Sequence, residues 1–178
     1  LVDELGGRAI GLCGMDGGLI RAEKSGGDHG LVGKVKSIDP SAVNMALDNG
    51  YIPIVSTVAP GIDGGTVYNM NADTVAGALA VELGAEKLIL LTDVRGVMTD
   101  PEQNEGFIPR LKLSEVAPLM KSGALGGGMI PKIECCVDAL RRGVPRTHII
   151  DGRIMHSILL ELLSRRGVGT MIERDDLV

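Results

Sequence analysis

The sequence predicts an α/β fold, a sandwich of helices around a mostly parallel sheet. Three observations lead there. Short apolar runs of strand type alternate with helical periodicity almost from end to end. One run, Leu88-Ile89-Leu90-Leu91 within Lys87 to Thr92, is apolar without alternation, as in a strand covered on both faces. The 26 glycines sit at the ends of the periodic segments rather than in one tract, and so imply many tight turns.

Taken in order, Leu1 to Leu5 before Gly6-Gly7 reads as the last turn of a helix closed by glycine, so the chain is expected to start inside a larger domain. Ala9 to Cys13 is a strand and Gly14 to Gly18 a turn. Leu19 to Glu23 and Leu31 to Ile38 form a hairpin joined through Gly26-Gly27-Asp28. Asp39 caps a helix with Pro40 at its first position, and Gly50 closes it. Its inward residues are Val43, Met45, Ala46 and Leu47. Ile52 to Val58 is a strand with Pro53 at its start, where a missing donor is tolerated.

Asp63-Gly64-Gly65 turns the chain toward Asn69. Thr74 to Leu83 is a helix ended by Gly84, and Lys87 to Thr92 is the buried strand. Asp100 to Gly106 reads as a polar loop. Ser114 caps a helix that holds Pro118 in its early part. Met129 to Arg142 is a longer helix, Thr147 to Ile150 a strand, Met155 to Arg166 a helix and Thr170 to Ile172 a last strand. A boundary near Gly84 divides the chain into lobes at 1–84 and 85–178.

Composition narrows the function. The 178 residues carry a net charge of −5, 2% aromatic residues and no Trp, which argues against a nucleic-acid binder. The apolar runs are far too short to span a bilayer, and no signal-peptide pattern is seen. Cys13, Cys135 and Cys136 show no C-x-x-C spacing and read as small apolar residues in a reducing compartment. His29, His148 and His156 are not spaced as metal ligands and read as structural.

Three segments carry chemistry. Asn69-Met70-Asn71-Ala72-Asp73 places amides and a carboxylate at the mouth of an apolar helix. Asn69 offers donors and an acceptor to a carboxylate or amide ligand. If the helix starts near Asn71, the four-residue spacing turns Asn69 and Asp73 toward one cleft. A capping role competes for Asp73. Thr92-Asp93-Val94-Arg95-Gly96 follows the buried strand, where ligands of open α/β sheets gather. Asp93 either meets a ligand there or shapes a turn. Gly126-Gly127-Gly128-Met129-Ile130-Pro131-Lys132 joins bare backbone to a helix start, with a lysine in its first turn. That combination suits phosphate, and Lys132 suits the charge of a transferring phosphoryl group. A flexible loop with a solvated lysine is the alternative. The order of a P-loop is absent.

From Gly6 to Ile172 the chain resembles the acetylglutamate kinases of the amino-acid kinase family. The matching segments are GRAIGLCGMDG at Gly7 to Gly17, YIPIV at Tyr51 to Val55, and NMNADTVAG at Asn69 to Gly77. AEKLILLTDVRG at Ala85 to Gly96, GGMIPK at Gly127 to Lys132, IIDGR at Ile149 to Arg153 and GVGTMI at Gly167 to Ile172 complete the match. The resemblance implies an open αβα sandwich, an amino-terminal lobe for N-acetyl-L-glutamate and a carboxyl-terminal lobe for ATP. It implies phosphorylation of the side-chain carboxylate of N-acetyl-L-glutamate in arginine synthesis, with Mg2+ arriving on ATP.

By the same resemblance Asn69 binds N-acetylglutamate, Asp73 organises the catalytic lysines and Lys132 stabilises the phosphoryl group. Asp93, Val94, Gly96, Val97, Met98, Leu125, Gly126 and Met129 contact the nucleotide. HSILLELLSRRGVGTM resembles the ending of the arginine-inhibited members, which gives Glu161 and Gly167 to an L-arginine effector. The family's early lysine, its glycine loops and a substrate-gripping arginine are expected upstream of Leu1, which would leave this chain inactive alone. An assembly of like chains and a cytoplasmic setting, or a plastid one, are expected of the complete protein. Two other readings stand beside this one: a family member acting on glutamate, aspartate, carbamate or UMP, and a non-catalytic regulatory or assembly module that keeps the nucleotide lobe.

Overall fold

Leu83 ends the first of two units, Leu1–Leu83 and Gly84–Val178, in a computed structural model that describes residues 1–27, 30–100, 103, 105–164 and 166–176. The first unit carries, in order, β1 (Ala9–Cys13), β2 (Ile20–Lys24), β3 (Val32–Ile38), α1 (Ser41–Asp48), β4 (Ile52–Ser56), β5 (Val58–Pro60), β6 (Val67–Met70) and α2 (Ala72–Glu82). The second carries β7 (Lys87–Thr92), β8 (Met98–Asp100), β9 (Glu105–Phe107), β10 (Arg110–Lys112), α3 (Leu113–Lys121), α4 (Ile130–Arg141), β11 (Arg146–Asp151), α5 (Ser157–Leu163) and β12 (Thr170–Glu173).

In the first unit β1 pairs with β4 in parallel, and a second sheet runs in the order β2-β3-β6-β5. Its core is Leu19, Ile20, Ala22, Val43, Ala59, Tyr68, Met70 and Val75, all buried. The β2–β3 pair is the expected antiparallel hairpin. Asp28 of its turn, like His29, lies outside the described residues. The single strand expected over Ile52 to Val58 divides. β4 stays beside β1, while β5 crosses to pair antiparallel with β6. Asp39 accepts the N–H of Ser41 at 3.0 Å, and the regular helix begins there, one residue later than expected.

The larger shift is at α2. Asn71 is its cap: Oδ1 accepts the N–H of Thr74 at 3.0 Å, so the helix starts at Ala72 rather than Thr74.

In the second unit the sheet order is β10-β12-β11-β7. β11 runs parallel to β7 and antiparallel to β12, and β10 is parallel to β12, so the sheet is mixed with two of its three pairings parallel. Leu88, Leu90, Ile149, Ile150 and Ile172 of the sheet are buried, as are Ile133, Cys136, Ala139 and Leu140 of α4. The expected polar loop is partly a hairpin, with Met98 opposite Phe107 and Asp100 opposite Glu105; residues 101, 102 and 104 lie outside the described set. At α3 the Lys112 N–H is held by Glu115 Oε2 at 2.7 Å, while Ser114, the expected cap, bonds Asp175 instead. The last helix is shorter than the expected Met155 to Arg166. His156 takes a left-handed conformation, φ 60°, just before it, and Ser164 is extended just after. Among the described residues no helix is long and apolar enough to cross a membrane.

Candidate functional site

The site is assembled from the ends of two parallel strands. β7 and β11 stay in register from Lys87 opposite Arg146 to Thr92 opposite Asp151. Thr92-Asp93 and Asp151-Gly152 therefore leave the sheet together at its carboxyl edge, where ligands of α/β folds collect. Gly152 donates its N–H to Thr92 O at 2.8 Å, which ties the two departures. The segment after Asp93 then turns back. Gly96 has φ 150°, and a Cβ there would lie 2.6 Å from Thr170 Oγ1. That hydroxyl accepts the Val97 N–H at 2.8 Å, so only glycine lets the chain pass this close.

The loop Gly126–Gly128 and the start of α4 form the other wall. A cavity of about 410 Å3 opens here, lined by Thr92, Asp93, Val94, Gly96, Met98, the three glycines, Met129 and Lys132. A side chain added at Gly127 or Gly128 would meet nothing, so the backbone is bare toward open space. Such a wall lets a ligand approach main-chain N–H groups, and the start of α4 adds a positive dipole end. Lys132, half-buried in the first turn of α4, adds a cation. The residues present thus fit a polyanion whose apolar part rests on Val94, Met98 and Met129.

The structure brings Asp93, Val94, Gly96, Met98, Gly126, Met129 and Lys132 to one cavity. Val97 and Leu125, named as nucleotide contacts, are not in its lining: they are 0% and 8% exposed and turn into the core. Thr92, Gly127 and Gly128 line it without having been named as contacts. Their signal was present, since each adjoins a named residue in the same motif.

Asn69 and Asp73 lie in the first unit. Asn69 is an exposed residue of β6, between Val32 and Val58 on the flanking strands. Asp73 is half-buried in the first turn of α2. Because Asn69 is on a strand, the helical four-residue spacing does not relate the two, and the cap is Asn71.

Glu161 is neither solvated nor open. Its Oε1 meets His148 Nδ1 at 2.8 Å, and its Oε2 accepts the N–H groups of Val168 and Gly169 at 2.7 and 3.0 Å. Burial raises its pKa, yet the hydrogen bonds from His148, Val168 and Gly169 outweigh burial and hold it below the usual carboxylate value. Gly167, φ 63°, closes on it so tightly that a Cβ would lie 2.6 Å from Oε2. One further charged pair was not anticipated. Asp151 grips Arg153 through Nε and Nη2 at 2.9 and 2.8 Å and accepts the Arg153 N–H at 2.9 Å. These bonds lower the Asp151 pKa to about 2.

The profile of the Amino acid kinase family matches residues 3–151. The chain belongs to the amino acid kinase family. Within it, the chain is 52% identical over 172 residues to the acetylglutamate kinase of Synechococcus sp. (strain RCC307), covering 96% of this chain and 58% of the relative. It is 50% identical over 177 residues to that of Caldanaerobacter subterraneus subsp. tengcongensis, covering 98% of this chain and 59% of the relative. The chain thus spans less than two thirds of these relatives. Among solved structures, the N-acetylglutamate synthase of Neisseria gonorrhoeae, complexed with coenzyme A and L-arginine, aligns with a TM-score of 0.77 at 26% identity. That alignment covers 94% of this chain and 38% of the synthase. An isopentenyl phosphate kinase, at 22% identity and TM-score 0.69 over 96% of this chain and 61% of its own, shares the amino acid kinase fold.

Proposed function

We propose that this chain is the greater part of an acetylglutamate kinase, which transfers the γ-phosphoryl group of ATP to the side-chain carboxylate of N-acetyl-L-glutamate in arginine biosynthesis. The observation that carries the reading is the single cavity shared by the Thr92-Asp93 strand end, the bare glycine loop and Lys132. The roughly half identity to two acetylglutamate kinases supports N-acetyl-L-glutamate as the acceptor.

In this reading the adenosine lies against Val94, Met98 and Met129, and the phosphates meet the Gly126–Gly128 backbone and the start of α4. The carboxylate oxygen of the acceptor attacks the γ-phosphorus in line, the bond to the β–γ bridging oxygen breaks, and ADP leaves. Negative charge spreads over the transferring group, and the Lys132 ammonium stabilises it there. No covalent intermediate on the protein is involved. Mg2+ is carried by the phosphates, as is usual for kinases. Asn69 binds the acceptor and Asp73 acts in the catalytic set, both supplied by the first unit, residues 1–84 in the sequence reading. The second, 85–178, is the ATP lobe. An assembly of like chains and a cytoplasmic setting belong to the same reading.

L-arginine is proposed as a feedback inhibitor, held by a site that includes Glu161 and Gly167. The synthase relative complexed with L-arginine supports this. Since the Glu161 carboxylate already holds His148 and two main-chain N–H groups, arginine binding involves an exchange of these partners or a loop that Glu161 merely shapes.

The test is ADP release by a protein in which this chain is joined to the remainder that its relatives carry. N-acetyl-L-glutamate should support turnover well above glutamate, aspartate, carbamate or UMP. Equal or better turnover with one of those acceptors would replace the reading.

A further inference from the structure

The Thr170 hydroxyl is engaged on both sides by main chain. Oγ1 accepts the Val97 N–H at 2.8 Å and donates to Ile108 O at 2.6 Å. The Ile108 N–H in turn bonds Val97 O at 2.9 Å. Val97 and Ile108 follow Met98 and Phe107 as the next pair of the β8–β9 ladder. Such a hydrogen-bonded pair ordinarily exchanges both bonds directly. Here one bond is direct and the other passes through the threonine hydroxyl.

That hydroxyl is fixed from the sheet. Thr170 is fully buried, opens β12 and lies opposite Ile149 of β11, which lies opposite Leu90 of β7. Gly169, just before it, is held by Glu161 Oε2 at 3.0 Å. The segment from β7 to β8 is therefore fastened to one sheet at two points. One is Thr92 O, bonded by the Gly152 N–H at 2.8 Å, and the other is Val97, bonded by Thr170. Val94, Gly96 and Met98, which line the cavity, lie between or beside these points. Gly96 rests on Thr170 itself: a Cβ there would lie 2.6 Å from Oγ1 and 3.1 Å from the Thr170 nitrogen.

We propose that Thr170 is a positioning residue of the nucleotide site, whose hydroxyl sets the course of the Val94–Met98 strap and so the placing of Gly96 and Met98 against the nucleotide. This rests on the reading of that cavity as a nucleotide site. Thr170 is not in the cavity lining and touches no reacting atom. Without its hydroxyl the Val97 N–H and Ile108 O lose their partner, and an unpaired polar group on buried backbone is costly. The two can satisfy each other only by closing the gap that the hydroxyl fills. That closure draws Val97 toward Ile108 and carries Gly96 and Met98, its neighbours on either side, out of place.

The test is calorimetric titration of ADP into the 178-residue chain and its variants. Thr170→Val keeps the shape and loses the hydroxyl, and should weaken ADP about tenfold. Thr170→Ser keeps the hydroxyl and should bind within about twofold of wild type. Thr147→Val is the comparison. Thr147 is equally buried, and its hydroxyl bonds Ile172 O within the sheet instead of the strap. That variant should bind ADP as wild type does, however far its urea midpoint falls. If Thr170→Val does not fold, Thr170→Ala, which adds no bulk, takes its place with the same expected loss. Wild-type affinity in the folded variant that lacks the hydroxyl, a serine variant as weak as it, or an equal loss in Thr147→Val would overturn the positioning role and leave the nucleotide site standing. Failure of the wild-type chain to bind ADP would overturn both.

Discussion

Glu161 and His148 form a buried pair, Oε1 to Nδ1 at 2.8 Å, with side chains 4% and 5% exposed. An ionised carboxylate can only accept, so Nδ1 carries the proton in this contact. Through its other oxygen Glu161 also holds the loop before β12, so one carboxylate ties α5, β11 and that loop together. Glu161→Ala would strand a ring N–H and two main-chain N–H groups. It should lower stability by about 3 kcal/mol, measured by urea unfolding.

The same pair gives the fold an acid-sensitive joint. The folded Glu161 carboxyl titrates below its ordinary 4.5, so its stabilisation is fully present above that pH and is lost as pH falls through the folded value. The thermal midpoint of the wild type should therefore drop on acidifying below pH 4.5, and Glu161→Gln should remove that part of the drop. Parallel pH profiles for the two proteins would refute the assignment.

Gly167→Ala should be destabilising without touching the core. Its φ is 63°, and the new Cβ would press on Glu161 Oε2. The left-handed backbone alone costs about 1–2 kcal/mol, and the contact adds to it. A melting curve shifted by only a few tenths of a kcal/mol would show that the loop relaxes instead.

The two asparagines of one motif should separate cleanly. Asn71→Ala removes the cap of α2 and should cost about 1 kcal/mol of stability. Asn69→Ala, at an exposed strand position, should leave stability nearly unchanged. It should raise KM for N-acetyl-L-glutamate more than it lowers kcat. Steady-state kinetics beside chemical denaturation would show whether binding and capping are divided this way.

Much of this was legible in the sequence, and the misses share a cause. Lys87–Thr92 announced itself through its apolar run, although only Leu88 and Leu90 are buried and Leu91 stays exposed at the sheet edge, and the register of β7 with β11 then delivers Asp93 to the end of the sheet. The glycine run and Lys132 were legible for a similar reason, since backbone exposure and charge are local properties. What could not be read were relations that only the folded backbone sets. Asn69 and Asp73 share a helical spacing, but Asn71 decides where the helix starts. Val97 and Leu125 sit in the right motifs and still face the core. Glu161 resembles any helix glutamate until the fold brings His148, Val168 and Gly169 around it. β8 and β9 carry too few apolar residues to signal a hairpin, because only Met98 and Phe107 bear on packing.

Lys132→Ala should lower kcat at least about a hundredfold in a protein of full family length, the effect of losing one donor to a developing charge. KM for N-acetyl-L-glutamate should change much less.

The central claim is that the cavity between the Thr92–Asp93 strand end and the Gly126–Lys132 loop holds the nucleotide. Calorimetric titration of ADP into the 178-residue chain tests it most directly. The account predicts saturable one-to-one binding that Lys132→Ala weakens about tenfold. No saturable binding at millimolar ADP, or equal affinity in the two proteins, would contradict it.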